Sequence, residues 1–367
     1  MYKIFSFLFK IKKFRGEIFI YPTQVKFIKN YESSIRLLNS EFSVSKLKNP
    51  FLKEIVGDHS VITSYSNPDH KNNRQIAKEC LYSFTESEIN LIQDIVKLEL
   101  KRYTINKSFD GNAFCHKLAY DIATSIFIGN IRDNSKVLFR VLRGLQWNVP
   151  YGLILFSRAF YNGRFPKALT FLISRRNVPN HLKRLISDKS FIKSERLKRI
   201  ENTVKGYGQE EFIHDHLSGI LLAAQETFAC SISWLLFELL QSNNKQEEIK
   251  LSLNQSEKKA KQFIDYILKK YPPLWLIIRD TSEVKSKEIS VIKVEEINNC
   301  PHNAKSLTFG AGERYCLGAS LAKIELLIIL KELVNSYEIK TKKQSTKTHY
   351  SNLMRCHFKN KIWIRSI

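Results

Sequence analysis

Residues 309–318 read FGAGERYCLG, and this stretch places one cysteine, Cys316, in a setting that favours a thiolate. Its glycines permit a tight turn with positive φ angles, which other residues adopt only with strain. An apolar run over residues 319–334 predicts a helix that starts just after the turn. The amides and dipole at the N-terminus of this helix should favour negative charge on the sulfur. Cys316 is therefore predicted to be a nucleophile or a metal ligand.

The spacing Phe-x-x-Gly-x-Arg-x-Cys-x-Gly resembles the haem-binding loop of the cytochrome P450 family. The resemblance implies a haem b cofactor (iron protoporphyrin IX) and makes Cys316 the axial ligand of its iron. It also implies that Phe309, Gly310, Arg314 and Gly318 bind the haem. The fold it implies is mainly α and cytochrome P450-like, with a long buried central helix and a small N-terminal β-sheet.

The longest predicted helix covers residues 212–241, and its apolar residues wrap nearly the whole circumference. Such a helix lies in a protein core or in a membrane, and a carboxylate at its centre would cost roughly 3 kcal/mol in lipid. The core is therefore favoured. Residues 223–227, AAQET, resemble the family's acid-alcohol motif, with Ala224 where glycine is usual. The resemblance implies that Ala223 adjoins the haem and that Glu226 and Thr227 deliver protons for oxygen activation. The alternative is an ordinary capped or solvated polar patch.

Four cations have the order and spacing of the family's haem-propionate donors. His70 and Arg74 resemble its His-x-x-x-Arg signature, and their i, i+4 spacing puts both side chains on one helix face. Arg314, two residues before Cys316, and Arg279, after a Tyr-Pro-Pro turn, resemble its other arginines. Guanidinium groups suit carboxylates because their forked donors bind bidentately. Taken singly, each of these side chains would be interpreted as a solvated surface charge, and only their order and spacing relative to Cys316 favour the haem-binding role.

Two departures from the family pattern weaken the expectation of a fully active protein. The family carries Glu-x-x-Arg on the helix before the Tyr-Pro-Pro turn, whereas this chain has Tyr266 and Lys269 at the corresponding positions. The interval from Arg279 to Phe309 is also short, and we expect it to lack both the usual sheet and the meander that the ion pair braces. Losing both partners of a buried pair costs less than losing one, so the core could survive with weaker haem retention.

Periodicity gives a coarse outline of the remaining elements. Short β-prone stretches lie at 16–21 and 25–27, and a helical pattern lies at 32–38. Further helices are predicted at 72–82, 86–103, 113–128, 135–146, 167–174 and 181–187. Because no composition shift marks a boundary, residues 1–367 are expected to form a single cytochrome P450-like domain without a fused reductase.

The net charge of +24 is spread along the chain, which could attract acidic proteins, anionic lipid or nucleic acid. We find no nucleic-acid-binding signature. The six cysteines form no C-x-x-C pair, which favours reduced thiols in the cytoplasm. Residues 1–15 mix apolar and basic side chains and are too short to span a bilayer, so peripheral membrane contact is the alternative to packing on the domain.

The leading hypothesis is a haem-thiolate monooxygenase that inserts one oxygen atom from O₂ into an apolar small molecule. Electrons would come from NAD(P)H through a separate acidic ferredoxin or flavodoxin. One alternative is a degenerate, catalytically impaired haem-binding or remnant protein. Another is isomerase or dehydratase chemistry without external electrons, against which the acid-alcohol pair argues. The middle region, with Phe156, Phe160, Phe165 and Phe171, indicates an apolar ligand at most.

Overall fold

Helices carry most of the chain in the computed structural model, which describes residues 17–20, 23–39, 56–64, 69–81, 84–105, 108–130, 178–188, 191–241, 243–280, 288–302, 305–341, 346–350 and 353–367. The helices are α1 (Tyr31–Asn39), α2 (Asp69–Leu81), α3 (Glu86–Ile105), α4 (Gly111–Phe127), α5 (Val178–Ile186), α6 (Glu195–Gly206), α7 (Ile213–Leu239), α8 (Asn243–Gln255), α9 (Glu257–Lys270), α10 (Val294–Asn298) and α11 (Ala319–Ser336). The strands are β1 (Glu17–Ile20), β2 (Thr23–Ile28), β3 (Ser108–Phe109), β4 (Gly129–Asn130), β5 (Ile192–Lys193), β6 (Leu276–Asp280), β7 (Glu288–Lys293), β8 (Tyr337–Thr341), β9 (Thr346–Tyr350), β10 (Met354–Phe358) and β11 (Ile362–Ser366).

The largest described sheet joins the N-terminal hairpin to the segment before the cysteine loop. Its strand order is β1-β2-β7-β6, in which β7 is parallel to β2 and antiparallel to β6. Our expectation that the interval from Arg279 to Phe309 lacks a sheet is therefore wrong. The reason is local: Ile289, Val291 and Ile292 are β-branched and buried, so the segment suits a strand covered on both faces. Beyond β7, the described residues 294–302 and 305–309 contain α10 and turns but no further strand.

The central helix α7 lies in the core, packed against α4, α5, α9 and β10. Leu217, Leu221, Ile232, Leu235 and Leu236 are each completely buried. By length and composition, the helical stretch from Glu210 to Leu239 could cross a membrane, but 72% of its most apolar window is buried inside the protein. The all-round apolar pattern is thus explained by burial in a protein core.

The predicted fold class is confirmed: the described chain is mainly α-helical, with a long buried central helix and a small N-terminal sheet. The helical patterns at 32–38, 72–82, 86–103, 113–128, 181–187, 212–241 and 319–334 all correspond to helices within a few residues at either end. The predictions for residues 1–15, 135–146 and 167–174, and for the four phenylalanines between 156 and 171, lie outside the described residues.

Candidate haem-thiolate site

The cysteine loop is a tight turn closed by backbone hydrogen bonds. The N–H of Gly310 donates to the carbonyl of Leu307 at 2.8 Å, and the N–H of Cys316 donates to the carbonyl of Phe309 at 2.9 Å. Gly310 and Gly312 have φ angles of 72° and 66°, which L side chains rarely adopt. A Cβ on Gly312 would also lie 2.3 Å from the carbonyl oxygen of Leu38 on α1. The glycines are therefore needed both for the turn and for its packing on α1.

Cys316 lies three residues before the first residue of α11 and is exposed. Gly318 is the N-cap residue of that helix, and a Cβ added there would lie 3.9 Å from the Cys316 sulfur. The free N–H groups of the first helical turn carry partial positive charge. The predicted helix therefore starts close enough to Cys316 for its N-terminal N–H groups to stabilise a thiolate there.

The three predicted arginines converge beside this loop. Arg74 Nη2 donates to the carbonyl of Tyr315 at 2.7 Å, and Arg314 Nη1 donates to the carbonyl of Ser64 at 3.2 Å. Burial, followed by the charges of Arg279 and Arg74, lowers the pKa of Arg314 to about 10. Burial lowers the pKa of Arg74, and the nearby Cys316 sulfur and Glu313 carboxylate offset part of that shift. Three mutually repelling cations in a partly buried place would be stabilised by an anionic ligand.

His70 and Arg279 are the most buried of the four predicted cations. His70 is 2% exposed and lies one turn before Arg74 on α2. Arg279 is 8% exposed and lies on β6, where it pairs in register with Ser290 of β7. The helix α2 that carries His70 packs on the central helix α7, so the His-x-x-x-Arg helix and the acid-alcohol helix are neighbours.

The acid and the alcohol of the central helix point to different surroundings. Ala223 is exposed and Thr227, one turn later, is partly exposed, although the helix is otherwise largely buried. The Thr227 hydroxyl donates to the carbonyl of Ala223 at 2.7 Å, and the helix continues unbroken through this turn. Ala223 and Thr227 thus form an accessible stripe on α7, as a residue pair beside a ligand would require.

Glu226 faces away from that stripe into a buried ionic cluster. Arg355 Nη2 of β10 donates to Glu226 Oε2 at 2.6 Å, and His116 Nδ1 of α4 lies 3.4 Å from Glu226 Oε1. Glu226 is 1% exposed, while His116 and Arg355 are each 7% exposed. Sequence analysis identified Glu226 but missed both partners. The available signals were a histidine within the apolar pattern of α4 and an arginine inside a β-strand pattern.

The place of the family's Glu-x-x-Arg pair holds no buried ion pair between the corresponding side chains. Tyr266 is 46% exposed, and its hydroxyl accepts a hydrogen bond from Lys270 Nζ at 2.7 Å. Lys269 is partly exposed. The departure noted in the sequence is therefore also a departure in structure.

Comparison with known proteins identifies the fold. Residues 293–361, which include the cysteine loop, match the family model described as Cytochrome P450. A zebra fish cytochrome P450 with progesterone is 13% identical with a TM-score of 0.78, covering 99% of each chain. P450BioI in complex with an acyl carrier protein ligated to hexadec-9Z-enoic acid is 18% identical with a TM-score of 0.73, covering 98% of this chain and 97% of that one. The retinoic acid-bound cyanobacterial CYP120A1 is 14% identical with a TM-score of 0.75, covering 98% and 94%. No curated protein matches in sequence.

These matches define a protein with the cytochrome P450 fold over nearly its whole length. The segment that carries the cysteine loop, residues 293–361, also matches the Cytochrome P450 family model.

The residues around Cys316 fit the haem that this family implies. Arg74, Arg279 and Arg314 supply converging positive charge, which suits the two carboxylates of a porphyrin. Cys316 supplies an accessible sulfur in a loop that is closed on both sides by hydrogen bonds. The donor set is thus chemically matched to an anionic macrocycle with a thiolate-binding iron.

Proposed function

We propose that this protein is a haem-thiolate monooxygenase that inserts one oxygen atom from O₂ into an apolar small molecule. The observation that carries the proposal is the convergence of Arg74, Arg279 and Arg314 beside the exposed Cys316. Several partly buried guanidinium groups directed at one place suit the two propionate carboxylates of a haem, which they can bind bidentately.

In this proposal Cys316 holds the iron, while His70, Arg74, Arg279 and Arg314 hold the propionates. Ala223, Phe309, Gly310 and Gly318 lie against the macrocycle, where small or flat residues leave room for it. Haem b, when bound, supplies O₂ activation and oxygen transfer. The protein supplies charge neutralisation, orientation and shelter from water.

Thr227 is the proposed proton-handling hydroxyl on the ligand side of α7. Its hydroxyl now donates to the carbonyl of Ala223, so it must rotate before it can donate elsewhere. Glu226 is proposed as the acid behind it. Because Arg355 binds that carboxylate at 2.6 Å, Glu226 would have to leave this partner before it could carry a proton toward Thr227. In the arrangement described here it acts as a structural acid.

The apolar substrate class is supported by the ligands named for the similar structures, which are progesterone, retinoic acid and hexadec-9Z-enoic acid. Those ligands belong to those proteins, and they share a large apolar surface. For this chain we propose the class alone.

The identity of the iron ligand can be tested by spectroscopy. We expect purified, haem-loaded protein, reduced and exposed to carbon monoxide, to show the Soret band typical of thiolate ligation. Cys316→Ser should lose this band, whereas Cys300→Ser, which changes the other exposed cysteine, should keep it. A thiolate band that survives Cys316→Ser, or a loaded wild-type protein without the band, would overturn the proposal.

Electrons are proposed to come from NAD(P)H through a separate acidic ferredoxin or flavodoxin. The support is the net charge of +24, with exposed basic side chains near the cysteine loop such as Lys71, Lys305 and Lys323. We expect reduction by an acidic ferredoxin to slow about tenfold or more between roughly 0.05 and 0.5 M salt. Rates that do not depend on ionic strength would contradict this docking mode.

A second candidate function is a binding protein that has lost turnover. The exposed Tyr266 and the missing ion pair favour it, because a loosened cysteine loop would retain haem weakly. Haem stoichiometry followed by NAD(P)H-dependent turnover with a surrogate reductase separates the two candidates. Full haem loading without turnover would favour the binding protein.

A further inference from the structure

A buried amide side chain connects the cysteine loop to helix α9. Asn298 is 1% exposed and lies at the end of α10. Its Nδ2 donates to the carbonyl of Lys269 at 3.1 Å and to Oγ1 of Thr308 at 3.0 Å. Its Oδ1 accepts from the backbone N–H of Leu307 at 2.7 Å. The Asn298 side chain thus joins α9 to Leu307 and Thr308, the two residues directly before the cysteine loop of residues 309–318.

Thr308 provides a second connection from the same loop. Its hydroxyl donates to the carbonyl of Leu268 at 2.7 Å. Leu268 and Lys269 lie in the last turn of α9, where carbonyl groups have no further helical N–H to accept from. The side chains of Thr308 and Asn298 therefore satisfy consecutive carbonyls at the end of the helix and fix the loop there.

The connection continues through the backbone to the cysteine. Leu307, whose N–H is held by Asn298, accepts from the N–H of Gly310, and Phe309 accepts from the N–H of Cys316. Leu307 is completely buried beside Ile297 and Val294 of α10. A shift of Leu307 would therefore disturb both the turn and the position of the sulfur.

We propose that Asn298 and Thr308 are positioning residues that hold the cysteine loop on α9, at the place where the family carries its Glu-x-x-Arg pair. Both are neutral. Neutral groups avoid most of the desolvation cost that a buried ion pair must overcome. A neutral brace can therefore hold the loop without burying two charges. The proposal rests on the proposed function only where it concerns haem retention.

The central experiment compares two variants with matched controls in haem-free protein. Asn298→Ala removes all three contacts, and Thr308→Val removes the hydroxyl at nearly constant volume. Asn299→Ala is the control for the first, because Asn299 is exposed and donates to the carbonyl of Lys270 without contacting the loop. Thr308→Ser, which keeps the hydroxyl, is the control for the second.

Hydrogen exchange gives a direct readout at the Leu307 amide. We expect exchange in peptides covering residues 305–310 to accelerate about tenfold in Asn298→Ala and to stay unchanged in Asn299→Ala. Thr308→Val should accelerate it less, and Thr308→Ser should restore it. Equal exchange in Asn298→Ala and Asn299→Ala would overturn the proposal. If Asn298→Ala does not fold, the Thr308 pair decides the question in the same way.

Haem retention provides the second readout. After reconstitution, transfer of haem to an excess of an apoprotein acceptor should be about tenfold faster from Asn298→Ala than from Asn299→Ala. Failure of the wild type to bind haem would contradict the proposed function, while the exchange experiment would still decide whether Asn298 braces the loop. Faster amide exchange with unchanged haem transfer would overturn the link between the brace and retention.

Discussion

The contacts that join the cysteine loop to α9 are neutral, whereas the buried contacts behind Thr227 are charged. Asn298 and Thr308 join the cysteine loop to α9 through amide, hydroxyl and carbonyl groups. Glu226, by contrast, is held between Arg355 and His116 inside the core. Both regions belong to the same proposed site, but we expect the loss of one partner to have a different cost in stability in each region.

Loss of one group from a neutral contact leaves at most a few unpaired polar atoms, at about 1–3 kcal/mol each. Loss of one ion from a buried pair leaves an uncompensated charge, at about 3–5 kcal/mol. We therefore expect the cysteine loop to tolerate sequence change better than the Glu226 cluster. The following predictions test this contrast.

The largest effect is expected from Arg355→Met, which leaves the Glu226 carboxylate buried without its closest cation. We expect the free energy of unfolding to fall by about 3–5 kcal/mol, measured by urea denaturation at pH 7. The double variant Glu226→Gln with Arg355→Met should recover much of this loss. Lys331→Met, which disrupts a pair with Glu257 on the surface, should cost less than about 1 kcal/mol. Equal losses for the buried and the surface variant would remove the distinction between the regions.

The carboxyl group of Glu325 sharpens the contrast, because among the described residues it is buried without an ion pair like the one between Glu226 and Arg355. Burial raises the pKa of Glu325 on α11 from 4.5 to about 8, and Arg196 lowers it by less. The folded state therefore holds this proton more tightly than the unfolded chain. The contribution of Glu325 to the free energy of unfolding is fully present below about pH 4.5 and is lost as the pH rises toward 8. Above about pH 8 this contribution changes little with pH.

Glu325→Gln should remove that pH dependence. At pH 7 we expect the variant to be more stable than the wild type by on the order of 3 kcal/mol, with a difference near zero at pH 4. Urea unfolding at several pH values measures it. Glu226→Gln is the informative comparison, because removing the charge that pairs with Arg355 should destabilise the protein at pH 7. Stabilisation by both substitutions would show that the two carboxyl groups are in equivalent environments.

Sequence analysis succeeded where the signal is local. The cysteine loop depends on glycines within ten residues of each other, and α7 is defined by a continuous apolar pattern, so both could be predicted. The strand β7 was missed because the family comparison led us to expect an empty interval, although Ile289, Val291 and Ile292 carry a β-prone pattern.

Long-range partners could not be predicted in the same way. Arg355 and Glu226 are 129 residues apart, and no spacing rule connects a strand arginine to a helix glutamate over that distance. Asn298 lies in the sequence EINNCPHN, which reads as a polar turn. Its burial depends on α10 packing against α9, which is a tertiary property. The four predicted propionate donors stay predictions as haem ligands, although the structure brings three of them together.

The smallest effect on stability is expected at Thr227, which follows Glu226 and lies on the accessible stripe of α7. Thr227→Val removes a hydroxyl whose present acceptor is the carbonyl of Ala223, a carbonyl that already belongs to an unbroken helix. The free energy of unfolding should therefore change by less than about 0.5 kcal/mol. If Thr227 handles protons, product formed per NAD(P)H consumed should nevertheless fall about tenfold or more, while Thr227→Ser should retain most of it. Unchanged product yield in Thr227→Val would show that the hydroxyl serves helix structure alone. Among the described residues, Glu226 would then lack the proton-handling neighbour that the proposal gives it on the accessible stripe of α7.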